Sequence, residues 1–451
     1  MPGLTDEFMP LLAEAMEHLH DPSIRPYLQT LQQRYDRWDA TEKIEFFTYL
    51  ARNLESPLAT DPDAIAAVPG GFDLDCKEDI DRLLALREQW EPPRLHLLRQ
   101  FVNLPGGIKF LVDMRAELRE LMRVHRQAAC LRLVEADLLH LFRSWFNFGF
   151  LQLVPIRWET TSAAQLEKLM AYEVVHPMSE WETLRQRLDR DRLCYALYHP
   201  NMPDEPLIFL EIALTQTIGS SIDRLFQQRR VRTLHEPSVA LFYSINATQK
   251  GLSGISLGNS LIKMAVEQLR QDYPSLRRFS TLSPMPGFRK YLHSVLQDAP
   301  EGRKRALYGQ SLDAFFDPED LDVIRRAVPG VDALPAQLNE LLAGERWREP
   351  ELCYPLKGGL LRLAHFYVVH EKRRGAPLDP VAHFHFRNGA MLYNLNYLSD
   401  TSAKGISESF GMTANYLYAL DKIDDHQRRF HQGQCVVTPQ LDKMLQLGIS
   451  A

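Results

Sequence analysis

Three groups of residues have the types and spacing for chemistry. Ser283 stands in Ser283-Pro284-Met285-Pro286-Gly287-Phe288, where two prolines fix the backbone and Gly287 allows a conformation other residues resist. Its hydroxyl is therefore presented on a stiff turn. The serine lacks a GxSxG elbow, and Pro284 has no N–H to act as the next oxyanion donor, so hydrogen bonding suits it better than nucleophilic attack. His383 and His385 alternate with Phe384 and Phe386, and read as a strand this puts both imidazoles on one face. Two such histidines could start a metal site, but neither an HExxH motif nor a nearby acidic cluster supplies a third ligand, and no metal is expected. An imidazole of ordinary pKa, about 6.5, can instead move a proton near neutrality. The third group is Gly251-Leu252-Ser253-Gly254-Ile255-Ser256-Leu257-Gly258-Asn259. Its backbone N–H groups could face an anion such as a pyrophosphate, or its glycines could serve only a tight turn.

The glycine stretch sits inside a βαβ pattern. Val239 to Ile245 is short, apolar and rich in β-formers, as a strand covered on both faces must be. Asn259 to Tyr273 then places Leu261, Ile262, Ala265, Leu269 and Tyr273 on one helical face, Pro274 stops the helix, and Leu276 to Leu282 returns as a strand. Upstream, Leu193 to Tyr198 and Leu207 to Leu214 read as an antiparallel pair. Downstream, helical patterns cover Leu312 to Phe316, Pro318 to Ala327, Leu334 to Ala343 and Pro355 to His370. Val381 to Phe386 and Ala390 to Leu398 read as strands joined at Arg387-Asn388-Gly389, since Asn-Gly favours a hairpin.

Before residue 160 the pattern is helical: Phe8 to His20, Pro26 to Asp36, Thr41 to Leu54, a long helix after Gly107 and another over Leu131 to Phe146, with a break at Pro69-Gly70-Gly71. Ser162 caps a helix through Tyr172. A chain of 451 residues exceeds one ordinary core, so two domains are expected, 1–160 and 161–451.

A formal net charge of −6 disfavours nonspecific nucleic-acid binding, and the short basic run Lys372-Arg373-Arg374 reads as a solvated loop. Cysteines 76, 130, 194, 353 and 435 lack the pairing of a disulfide framework or zinc site, which fits a reducing cytoplasm. No apolar run spans a bilayer, the stretch from Met1 to His20 lacks the character of a leader, and Gly448-Ile449-Ser450-Ala451 lacks a Ser-Lys-Leu address. A cytoplasmic protein with no membrane association is expected.

Together, the 251–259 loop, Phe279 to Phe288, His383 to Ala390 and Met412-Thr413-Ala414-Asn415-Tyr416 resemble the malonyl-CoA decarboxylase family. The resemblance runs from about Leu104 onward and is less specific before it. It implies an α+β protein: an N-terminal all-helical domain used in oligomers, here a homodimer or homotetramer, followed by an acetyltransferase-like (GNAT-type) mixed-sheet catalytic domain. It implies that residues 251–259 bind the coenzyme A portion of malonyl-CoA, that His385 donates a proton, and that Ser283 is its companion, orienting substrate or accepting a proton. Tyr418 matches a position near that histidine, although an aromatic in such a pattern is more often a buried helix residue. Ser256 departs from the family, since some relatives have glutamate there, which leaves the orientation of His385 to water, Tyr418 or another group. The implied reaction gives acetyl-CoA and CO₂. It needs no cofactor, because the thioester carbonyl takes up the electron pair. Two other functions use a similar loop: a CoA-dependent acetyltransferase, and an acyl-CoA-binding regulator without turnover.

Overall fold

The computed structural model describes residues 4–60, 63, 71–227, 236–297, 307 and 310–445. Pro69, Gly70 and the terminal Gly448 to Ala451 lie outside them. Two compact units are present: Met1–Val154 with Ala196–Phe209 and Ala247–Leu261, and Pro155–Tyr195 with Leu210–Asn246 and Ile262–Ala451.

The first unit is mainly helical. Its helices are α1 (Leu4–Glu17), α2 (Arg25–Tyr35), α3 (Ala40–Asn53), α4 (Lys77–Trp90), α5 (Pro93–Gln100), α6 (Gly107–Val124) and α7 (Leu131–Trp145). Apolar residues at helical spacing bury Phe8, Leu28, Phe47, Leu111, Leu118, Leu138 and Phe142. Asp39 starts α3 through a reciprocal cap: it accepts from the Glu42 N–H at 2.9 Å, and the Glu42 carboxylate accepts from the Asp39 N–H at 2.7 Å. Helices α4 and α5 were not expected from the sequence. Arg94 on α5 is buried and ion-paired to Glu55 at 2.7 Å and Asp137 at 2.6 Å, and with the buried Leu95, Leu97 and Leu98 it seats that helix.

The strands are β1 (Gln152–Ile156), β2 (Arg192–Tyr198), β3 (Ile208–Thr215), β4 (Val239–Ala247), β5 (Arg278–Thr281), β6 (Ser283–Pro284), β7 (Met391–Asn396) and β8 (Thr413–Tyr418). Their order is β1-β2-β3-β4-β5-β8-β6, with β7 also paired to β8. β4 and β5 run parallel, from Val239 opposite Arg278 to Phe242 opposite Thr281, while β8 is antiparallel to β5, β6 and β7. The sheet is therefore mixed. Helices α8 (Ala163–Tyr172, capped by Ser162), α9 (Leu257–Asp272), α11 (Pro318–Ala327), α12 (Leu334–Ala343) and α13 (Pro350–Val369) follow the expected order, and α10 (Phe288–Gln297) stands between α9 and α11. A helical region followed by a mixed sheet flanked by helices is the α+β class that the sequence implied.

One expectation is overturned. Val381 to Phe386 is not a strand but the core of α14 (Pro380–Arg387). Asp379 accepts the Ala382 N–H at 2.7 Å and Pro380 occupies the first helical turn, a start signal that outweighs the apolar alternation. The far end is equally defined: Ala390 N–H donates to the His385 carbonyl at 3.0 Å and Gly389 N–H to the Phe386 carbonyl at 3.0 Å, with Gly389 at φ +82°. These two bonds form a Schellman cap. Asn388-Gly389 therefore ends a helix rather than turning a hairpin, because a left-handed glycine serves both purposes. β7 pairs instead with β8.

Candidate active site

Ser283 lies on β6 opposite Ala414 of β8, immediately after β5. The turn beyond it is stiff for a reason other than the one its glycine suggests. Gly287 does not adopt a positive φ; a Cβ there would collide with the Tyr367 hydroxyl of α13, so closeness requires the glycine. The caps of α14 hold His385, and the two residues meet: Ser283 Oγ lies 3.0 Å from His385 Nε2. On the other side of the ring, His385 Nδ1 lies 2.9 Å from the Tyr418 hydroxyl. Both ring nitrogens are occupied.

The bonded chain continues past the serine. Ser283 Oγ donates to Thr281 Oγ1 at 2.9 Å, and the same Thr281 oxygen accepts the Tyr416 N–H at 3.1 Å. The Tyr416 ring stacks on His385, with centroids 4.5 Å apart and planes at 23°. Asn415 Nδ2 donates to the Thr281 carbonyl at 2.7 Å, and Asn396 Nδ2 donates to Asn415 Oδ1 at 2.8 Å. Ser283, His385 and Tyr418 thus share one polar row, whose walls are β5, β8 and α14. No local pattern marks the parts played by Thr281, Tyr416 and Asp379, except that Asp379-Pro380 has the composition of a helix start.

Burial decides the charge state of this row. His385 is 2% exposed, and desolvation pushes its pKa down to about 3. Neutral imidazole is the form present at physiological pH, so it carries one hydrogen and two hydrogen-bonding roles. Ser283 Oγ and the Tyr418 hydroxyl each face one ring nitrogen, so one nitrogen donates its hydrogen and the other accepts one. Burial raises the Tyr418 phenol well above its usual pKa, which keeps it a donor. This differs from an imidazole titrating near neutrality.

His383 does not share the face of His385. Two positions along a helix point in opposed directions, and the His383 ring packs on Phe430 with centroids 5.7 Å apart. Among the described residues, no group of three or more His, Cys, Asp or Glu side chains is placed to hold a metal ion. Ser256 is exposed, and the bond to His385 Nδ1 comes from Tyr418.

The glycine loop is built within the first unit. Gly251 packs so closely on α6 that a Cβ would strike the Val112 carbonyl oxygen, and Gly254 has φ +93°. Arg115 of α6, buried and paired with Glu135 at 2.6 Å, donates to the Gly251 carbonyl and to the Ser253 carbonyl at 2.9 Å. The N–H groups of Leu252 and Ser253 turn back onto Gln249 and Lys250. The N–H groups of Ile255 and Leu257 are likewise engaged, by the carbonyls of Leu252 and Ile255, so an anion would be met by those of Gly258 and Asn259 in the first turn of α9.

Known proteins match this arrangement along nearly the whole chain. Residues 149–450 match the malonyl-CoA decarboxylase C-terminal domain, and residues 59–146 match the malonyl-CoA decarboxylase N-terminal domain. The mitochondrial malonyl-CoA decarboxylase of Rattus norvegicus is 36% identical over 349 residues, covering 75% of this chain and 68% of the relative.

The chain belongs to the malonyl-CoA decarboxylase family.

Solved malonyl-CoA decarboxylases extend the match. The Agrobacterium vitis structure is 34% identical with a TM-score of 0.82, covering 98% of this chain and 100% of that one. The Rhodopseudomonas palustris structure is 35% identical with a TM-score of 0.79, covering 97% and 99%. Membership in the malonyl-CoA decarboxylase family makes the chain an enzyme of that class. Among the described residues no helix is long and apolar enough to cross a membrane.

A pH dependence follows from the buried imidazole. Its folded pKa, about 3, lies below its unfolded value of about 6.5, so the unfolded chain binds more protons across that window. His385 therefore contributes stability that is present above pH 6.5 and lost as pH falls toward 3, with a limiting slope of about 1.4 kcal/mol per pH unit. Denaturant unfolding between pH 6.5 and 4 should show a shallower pH slope in His385→Asn than in the wild type, whereas equal slopes would mean an ordinary imidazole.

Proposed function

We propose that the chain releases CO₂ from malonyl-CoA through a neutral proton relay, Tyr418 to His385 to Ser283, with its coenzyme held at the 251–259 loop. The observation that carries this reading is the bonded row itself: His385 joined at 3.0 Å to Ser283 and at 2.9 Å to Tyr418. In the reaction the bond between the α-carbon and the carboxylate breaks, and its electron pair passes into the thioester. CO₂ then leaves, and a proton must reach the α-carbon. His385 is 2% exposed and Ser283 7%, so the serine is the outer member of the pair. Its O–H supplies the proton, Nε2–H replaces it as Tyr418 protonates Nδ1, solvent restores the phenol, and transfer of the ring hydrogen from Nδ1 back to Nε2 resets the row. This refines direct donation by His385.

Neutrality has a catalytic use. An imidazolium would pair with the malonyl carboxylate in the ground state, binding substrate tightly without helping the step in which that charge is lost. A neutral donor avoids the penalty. It can still supply a hydrogen as negative charge develops, a role documented for imidazoles of depressed pKa.

The helical region, residues 1–160, is proposed to serve self-association. Helix α4 buries none of its side chains and exposes Leu84 and Trp90, apolar surface that the reaction does not require.

Product analysis tests the reaction: malonyl-CoA should yield acetyl-CoA and CO₂ in equal amounts without an added acceptor. His385→Asn should depress turnover roughly 10²–10⁴-fold while coenzyme A binding stays nearly intact. Ser283→Ala should also be impaired, with the double variant little worse than the poorer single one, because both losses disable one relay. His383→Asn should keep near-normal activity, and the reverse pattern would place the chemistry on the wrong histidine. Gly254→Asp should weaken binding of coenzyme A and malonyl-CoA together, and unchanged titrations of a folded variant would remove the loop from the site. Sedimentation should show a dimer or tetramer; monomer at all working concentrations would contradict the role given to the helical region.

A further inference from the structure

We infer that Thr281 is a positioning residue, one that sets which way the hydrogen-bonded row points. The inference rests on the proposed relay through Ser283 and His385. A row of hydroxyls and one neutral imidazole can run in two senses. In one, Tyr418 donates to Nδ1, Nε2–H donates to Ser283, and Ser283 donates to an acceptor beyond it. In the other, Ser283 donates to Nε2 and Nδ1–H donates to Tyr418. Only the first keeps a spare hydrogen on Nε2 behind the serine. The second places a bare nitrogen there, with no hydrogen to return to the serine once its own has gone to the substrate.

The first sense needs an acceptor for the Ser283 hydrogen, and Thr281 Oγ1 provides it at 2.9 Å. That oxygen is fixed in place. Thr281 is 0% exposed, its Oγ1 accepts the Tyr416 N–H at 3.1 Å, and its carbonyl accepts from Asn415 Nδ2 at 2.7 Å. Tyr416 also stacks its ring on His385 at 4.5 Å, so one residue of β8 steadies both ends of the row. A β-branched side chain held this way has little rotamer freedom, and its hydroxyl is a stationary partner for the serine.

The direct test is the tautomer of His385, read from ring ¹⁵N shifts of the full-length wild-type enzyme without substrate. Hydrogen on Nε2 is expected, and hydrogen on Nδ1 would overturn the inference whatever the activity assays show. Thr281→Val keeps the shape and removes the acceptor. Its serine hydrogen should turn to Nε2, the tautomer should change to Nδ1–H, and kcat should fall about tenfold, the worth of one ordinary hydrogen bond, with KM within about threefold. Thr281→Ser returns the hydroxyl and should restore both the tautomer and kcat. Unchanged tautomer and kcat in Thr281→Val, or failure of Thr281→Ser to restore them, would contradict the assignment. Loss of the relay itself would show differently, as full turnover in His385→Asn.

Discussion

The site depends on burying an imidazole and giving each of its nitrogens one partner. Desolvation alone drives His385 to about 3, and a neutral ring in that setting must find one donor and one acceptor or leave a buried polar atom unmet. Tyr418 and Ser283 meet both needs. The surrounding architecture serves that geometry. Asp379 starts α14, the Ala390 N–H closes on the carbonyl of His385 itself, and β8 supplies Tyr418, the stacked Tyr416 and the strand that pairs with β6. A shift of α14 by one residue would remove the imidazole from both partners.

The glycine loop follows a different logic. Its shape is set by carbonyl acceptors facing Arg115 and by the contact of Gly251 with α6, not by glycine content alone. Fixing the carbonyls on a buried guanidinium determines where the remaining N–H groups point. Arg115 is held by Glu135 at 2.6 Å, so a charge pair inside the first unit shapes a loop whose proposed ligand is an anion.

The fold is legible in the sequence where local signals agree. Val239 to Leu282 shows an apolar run, glycines, a 3.6-residue period and a proline stop, and it folds as strand, loop, helix and strand. The six residues from Val381 to Phe386 imitate a strand by their apolar alternation, while Asp379-Pro380 and Asn388-Gly389 mark the ends of a short helix. The chemistry of Ser283 and His385 came from family resemblance, since nothing in the local pattern brings together residues a hundred positions apart. Thr281 was hidden for the same reason: a buried threonine on a strand looks like any other until its partners are known. The depressed pKa of His385 was also beyond reach, because burial is a property of α14 packed against β8 rather than of the segment itself.

The central claim is that the substrate meets the serine end of a neutral relay. A crystal structure with a malonyl-CoA analogue that cannot lose CO₂ tests it most directly. The account predicts the α-carbon about 3–3.5 Å from Ser283 Oγ, with Ser283 still bonded to His385 Nε2 and Tyr418 still on Nδ1. An analogue whose acyl end lies against His385 with Ser283 displaced, or away from both residues, would contradict it.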